Sequence, residues 1–433
     1  VFTPDALNLW GNAVGEIGLF AFPALVGGLL VHWVTLVNFR RLATISGSHV
    51  DGQAVLRNVW GRGFADLIQF CGKVPLAVGA ATGLLVSAGF VFNEIFVSWF
   101  PNFAFAYLLL GGALTLNLVG DRAVRWGQGV ALVVVFSGLL ALSLWVILFA
   151  KTDITAAPAP EPHGWPLTAV MVGVLVAMGF DLALYGLPQK VKGGGFPWRS
   201  VWVALASVGV VFILWGLAGL FTVPRAKLAD TTISHIIIAR TVLGDTGRYI
   251  MGGVVIGGVF AAVNALLFGI GYLLTRLIRE PDPSVDKWAP GGAPTRTLYL
   301  ARIGLASLTA LAMAGGWAGE PVLETFIRTG IVFWLFHHLM VNLTAERLLR
   351  RKRPFVDNYR RTGHFIVQTY ALTGLILAIT GLFWGEPDRR AMLILMTAIP
   401  VTAGLMLKLS SRIRQSNPKL RWCGLSDCST KTH

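Results

Sequence analysis

The sequence predicts an all-α, polytopic membrane protein, on three observations. Apolar stretches of about 17 to 25 residues, the length that crosses the hydrocarbon core of a bilayer, recur along the chain. Of its 433 residues only 13% are charged and 55% are hydrophobic, whereas soluble domains carry about 25% charged residues. Basic residues alternate by loop: 26 of the 36 lie in alternate loops and the C-terminal tail, and eight in the intervening loops. That asymmetry is the positive-inside pattern.

Eleven spans follow, near 17–37, 63–95, 103–119, 127–150, 165–187, 201–222, 250–274, 298–317, 322–345, 362–384 and 391–408. The second is long enough to tilt or to project beyond the bilayer. Trp10, Trp60, Trp99, Trp126, Trp165, Trp198, Trp202 and Trp384 fall near the span ends, as interfacial anchors do. An odd number of spans sets the termini on opposite sides. The basic loops and tail place the C-terminus in the cytoplasm of a bacterial-type plasma (inner) membrane, with Val1 outside. The chain then divides into an outer segment 1–16, a membrane domain 17–408 and a basic cytoplasmic tail 409–433.

The net charge of +15 is therefore topological. It implies contact with anionic lipid on the cytoplasmic face and argues against a nucleic-acid partner. Cys71, Cys423 and Cys428 form no disulfide or metal framework. No cleavable signal peptide is recognisable, no catalytic motif is present, and no metal or cofactor is assigned.

Polar groups inside the spans carry the functional information. Gly179 and Asp181 interrupt the run "VAMGFDLALYGLPQKVKGGGFPW". A carboxylate at the centre of a span costs roughly 2.5–3.5 kcal/mol, so it belongs in polar company. Glycine supplies backbone freedom there. Two readings stand: a helix broken at a substrate site, or an aspartate reaching the interface beside a glycine that eases packing. Asp66 and Lys73 share a helix face two turns apart, and Lys73 must pair or line a polar cavity; Asp66 and Asp181 are its candidate partners, for charge compensation or coupling. Asn264 and Asn117 read as interhelical hydrogen-bonding groups. Glu320, Glu324 and Arg328 have the spacing of local ion pairs. The loop 223–249 reads as a short amphipathic helix over the outer side.

The order and spacing of several segments resemble the amino acid–polyamine–organocation superfamily of permeases. These are "SGSHVDGQAVLRNVWGRGFADLIQF", "LTLNLVGDRAVRWGQGVALVVV", "MGFDLALYGLPQKVKGGGFP", "AAVNALLFGIGYLLTRLIRE" and "LETFIRTGIVFWLFHHLMVNLTAERLLRRKRP". The resemblance implies two inverted five-helix repeats plus two further helices, with the spans here corresponding to the second helix onward and the first without a counterpart. It implies secondary transport of an amino acid or related small organic solute. The substrate path would run beside Gly179, Phe180 and Asp181, with Phe180 as a wall and Tyr185, Asn264 and Lys73 as lesser contacts. The sequence departs from the family in three places: no Glu pair precedes the basic loop at 188–192, no lysine lies within 127–150, and no Ser or Thr lies between Tyr249 and Thr275. Coupling through those groups is not expected. The alternative is a transport-inactive, permease-like accessory subunit, with lipid or another membrane subunit packing where the first helix is missing.

A different class is suggested by His337, His338 and His364, whose surroundings "RTGHFIVQTYALTG" have the look of a membrane b-type cytochrome. The histidines sit near the span ends, and the match to the permease helix is longer. No haem is therefore assigned.

Overall fold

The computed structural model describes residues 2–46, 53–149, 165–186, 198–278, 296–352 and 358–416. Every regular element among them is helical. Ten helical stretches are long and apolar enough to cross a membrane. They include Asp121–Phe149 (α7) and Trp198–Thr222 (α10), and each overlaps an expected span. The remaining expected span, 165–187, is not continuous: it is divided into α8 (Trp165–Val176) and α9 (Leu182–Gly186).

Outward faces remain apolar where no protein covers them. Leu108 on α6 (Asn102–Val119), Val133 on α7, Leu311 on α13 (Arg296–Ala314) and Leu405 on α16 (Arg389–Ser416) are all exposed. Lipid is the solvent that such faces need. Trp99, Trp126 and Trp384 are exposed near helix ends, where anchors belong. Trp10 is a correction: it is fully buried, and its Nε1 donates to the Phe212 carbonyl at 2.7 Å.

Trp10 belongs to α1 (Pro4–Ile17), capped by Thr3. Residues 1–16, expected as a peripheral outer segment, are thus largely a helix built into the core. Leu7, Trp10, Val14 and Ile17 recur at helical spacing and are buried. Asn8 accepts from the Ser234 amide at 2.9 Å. Gly15 lies against the backbone of α11 (Arg225–Ala229), whose Arg225 donates to the Gly15 and Glu16 carbonyls at 3.2 and 2.9 Å. The expected short helix in 223–249 is observed as α11 and the first turns of α12 (Ser234–Ile278), which kinks at Leu243 and Gly244.

The tightest crossing on α2 (Ala21–Ser46) is with α8. A Cβ on Gly28 would stand 1.9 Å from the Gly173 carbonyl carbon, and one on Gly173 would stand 2.1 Å from the Ala24 carbonyl oxygen. Only hydrogen atoms fit between these backbones. Gly28→Ala is expected to destabilise by about 1–3 kcal/mol, the usual cost of overpacking. Gly111→Ala, with nothing within 4 Å of the added methyl, should leave the unfolding midpoint unchanged or raise it slightly. Thermal unfolding of both variants in detergent checks the contrast.

Candidate functional site

Two helix interruptions build the site. Pro75 has no amide hydrogen, and its ring crowds the carbonyl four residues earlier. The helix from Arg62 to Ile95 is accordingly divided into α4 (Arg62–Cys71) and α5 (Val74–Ile95), with Lys73 between them at φ −123°, ψ −49°. Gly72 allows close approach: a Cβ there would meet the Phe333 carbonyl oxygen of α14 (Pro321–Lys352) at 2.9 Å. The second interruption separates α8 from α9. Gly179 has φ +95°, which glycine adopts without steric cost. Around it the Met178 and Leu182 amides bond only three residues back, to Leu175 and Gly179, at 3.1 Å each. His32 Nε2 lies 2.6 Å from the Val174 carbonyl at this helix end. A carbonyl can only accept, so that ring nitrogen carries the proton.

Asp181 sits in the second interruption and is fully buried. Its Oδ2 accepts from Lys73 Nζ and lies 3.1 Å from His338 Nε2. Its Oδ1 accepts from Trp334 Nε1 at 3.1 Å. The Lys73 ammonium also stands 4.9 Å from the Trp334 ring centroid, within cation–π range. Phe180 packs on His32 and His338, with ring centroids 4.9 and 5.3 Å apart. The result is a closed cluster in which one carboxylate takes donors from the α4–α5 junction and from α14. Among the described residues, both ring nitrogens of His337, which is also fully buried, have no hydrogen-bond partner; nor has Nδ1 of His338. Leaving a buried polar group unpaired costs roughly 1–3 kcal/mol.

Buried polar side chains lie on both sides of the ion pair, but the interhelical amide network lies on one. Toward the end of the molecule rich in Arg and Lys, Gln69 donates to the Tyr185 hydroxyl at 3.4 Å. Asn38 of α2 donates to Asn342 and Gln368 at 2.8 and 2.9 Å, and Asn342 donates to Thr35 at 3.0 Å. This network ties α2, α14 and α15 (Asn358–Trp384). Toward the other end, the buried face of α5 presents Leu76, Ala77, Ala81, Leu84 and Leu85 together with Thr82, whose hydroxyl donates to the Val78 carbonyl of its own helix at 2.8 Å; on α14, Thr329 likewise donates to Thr325 at 2.7 Å and Thr325 to Glu386 at 3.0 Å.

Of the residues predicted from sequence, Gly179, Phe180, Asp181 and Lys73 come together, and Tyr185 lies alongside through Gln69. Asp66 does not join them. It accepts from Gln53 at 2.9 Å and pairs with Arg57 at 2.7 Å. Asn264 is elsewhere too: it accepts from Asn117 at 2.9 Å and donates to Gln128 at 3.0 Å. Buried Arg302 reaches Asp121 nearby at 3.5 Å, so this second cluster holds α6, α7, α12 and α13 together. Its role as a substrate contact is withdrawn, and the interhelical role remains. Glu324 and Arg328 make the expected local pair, at 2.5 Å.

Sequence reasoning missed the α4–α5 interruption, although Gly72 and Pro75 flank Lys73 and announce it. It also missed Trp334 and His32, which no motif marks. His337 and His338 turn toward Asp181 from a single helix; the side chain of His364 lies outside the described residues. No family model and no curated protein matches the chain.

The ion pair sets a sharp expectation. Lys73→Met leaves Asp181 buried without its counter-charge and should destabilise by about 3–5 kcal/mol, whereas Lys73→Met with Asp181→Leu should recover most of that loss. Detergent unfolding of the two singles and the double measures the coupling. Additive losses would mean that the pair is not an energetic unit.

Proposed function

We propose that the chain is a secondary transporter of a small organic solute, an amino acid or a related compound, whose path passes the Lys73–Asp181 pair. One observation carries this reading: two helices lose their regular backbone at adjoining points, and the charged residues at those points meet in the interior. Interrupted backbone is tolerated at membrane depth only where it is packed in protein or lines a cavity. Transporters built from inverted repeats use such interruptions to receive polar solutes and coupling ions. The resemblance of the segments around residues 46–70, 178–197 and 323–354 to the permease superfamily points the same way. Gly179, Phe180 and Asp181 would face the solute, Lys73 would balance the carboxylate, and Tyr185 would line the route. The interhelical amides of Asn38, Asn342 and Gln368 suit a path from the basic end, which the positive-inside pattern assigns to the cytoplasm of a bacterial-type inner membrane.

The accessory-subunit reading is favoured by a different observation: Lys73 and Asp181 neutralise one another, leaving no net charge in the cluster to attract a solute. Uptake separates the two. Proteoliposomes of purified protein should accumulate a labelled amino acid from a mixed panel, and Asp181→Asn should reduce the rate at least about a hundredfold while leaving the elution profile intact, since loss of a buried charge-assisted contact is worth several kcal/mol. Absence of uptake across the panel, with and without ion gradients, favours the accessory role.

Sidedness gives an independent check. With Cys71, Cys423 and Cys428 replaced by serine, Gln69→Cys, buried in this conformation, should react during turnover with a membrane-impermeant thiol reagent applied at the C-terminal side and resist it from the other. Equal labelling from both sides contradicts the one-sided route.

A further inference from the structure

We propose that Asp181, His337 and His338 form a binding site for a divalent transition-metal ion, in which the Lys73 ammonium is the resident competitor. The donor set is the first reason. One carboxylate oxygen and one nitrogen from each imidazole lie within 4.8 Å of one another, and all three residues are fully buried. The second reason is independent of that clustering. His337 is fully enclosed, yet neither of its ring nitrogens has a hydrogen-bond partner among the described residues. An imidazole held for packing alone would satisfy its N–H on a carbonyl, as His32 does on Val174. His337 instead holds a lone pair ready beside a carboxylate and a second imidazole.

Two imidazoles and a carboxylate favour first-row ions such as Zn²⁺, Co²⁺ and Fe²⁺ over Mg²⁺ and Ca²⁺, which prefer all-oxygen shells. Bonds of about 2.0–2.2 Å need donors roughly 3–3.5 Å apart, so the ligands must draw inward by about an ångström. What prevents this in the present arrangement is Lys73, bonded to the same Asp181 Oδ2 that faces His338 Nε2. Two cations cannot share that oxygen in a low-dielectric interior, so a metal ion enters only as the ammonium withdraws. Lys73 thereby sets the affinity, and Trp334, holding Asp181 Oδ1 from the other side, keeps the carboxylate oriented in either case.

The inference does not rest on transport. Binding is read in detergent, so failed uptake leaves it standing, and failed metal binding leaves the transport reading standing. The experiment is titration of purified, metal-free protein with CoCl₂, followed by visible ligand-field absorption. The native chain is expected to show weak bands saturating at one ion per chain. Lys73→Met should bind at least about tenfold more tightly, because a unit positive charge a few ångströms away is removed. Adding His337→Phe or Asp181→Asn to Lys73→Met should abolish the bands. ZnCl₂ should raise the unfolding midpoint of Lys73→Met more than that of the native chain, by ligand linkage. If Lys73→Met fails to fold, Lys73→Gln and the native chain carry the same comparison. No saturable band in any of these proteins overturns the proposal, as does a band that survives both second-site substitutions.

Discussion

The interior where α2, α8, α14 and the α4–α5 junction meet is arranged around one carboxylate that has been taken out of water. Burying Asp181 or Lys73 alone costs several kcal/mol, and their mutual attraction offsets that only when the remaining lone pairs and protons are also satisfied. Asp181 meets the condition with three donors: the Lys73 ammonium, the Trp334 indole and the His338 imidazole. Those donors come from the α4–α5 junction and from α14, so satisfying the charge fixes the position of three chain segments at once. An apolar pair of similar volume would serve stability as well or better. Stability alone does not account for the ion pair, and the two helix interruptions are where its partners come face to face.

Packing delivers those partners. The absence of side chains at Gly28 and Gly173 lets α2 and α8 touch along their backbones. That contact carries His32, one turn beyond Gly28, to the Val174 carbonyl at the end of α8. The helix therefore ends on a satisfied acceptor, and Phe180 turns its ring against His32. Gly72 does the corresponding work on the other helix by admitting the Phe333 carbonyl, and Gly330 lies against the Leu76 backbone. Small residues are the means by which helices associate in lipid, where apolar side chains gain nothing from leaving one hydrocarbon for another.

The spans were legible because an apolar run of bilayer length has few other uses, and Asp181 because a carboxylate beside a glycine contradicts such a run. The α4–α5 interruption was not, since Pro75 stands in a stretch long enough to read as one tilted helix. Asn264 shows a different limit. A mid-span amide looks the same in sequence whether it meets a solute or another amide, and its partner Asn117 is 147 residues away. Helix α1 was not legible as a helix because its apolar face is too short to cross a bilayer. Such a helix needs only a protein groove to lie in, and the groove between α8, α10, α11 and α12 forms only in the folded chain.

The asymmetry of the interior identifies the element that joins its two sides. Below the ion pair, toward the basic end, Asn38, Asn342 and Gln368 hold α2, α14 and α15 by hydrogen bonds that water can replace. Above it, mostly apolar side chains on α5 and α14 close the interior, with Thr82 and Thr329 bonded to carbonyls of their own helices. Helix α14 takes part in both layers and also supplies Trp334, His337 and His338. Asp181 is thus bonded directly both to α14, through Trp334 and His338, and to the α4–α5 junction, through Lys73. Helix α14 also touches the Gly72 junction, next to Lys73, through the Phe333 carbonyl. Lys73, Asp181 and the α14 side chains that bond to the carboxylate are therefore packed together at one crossing, the Gly72–Phe333 contact.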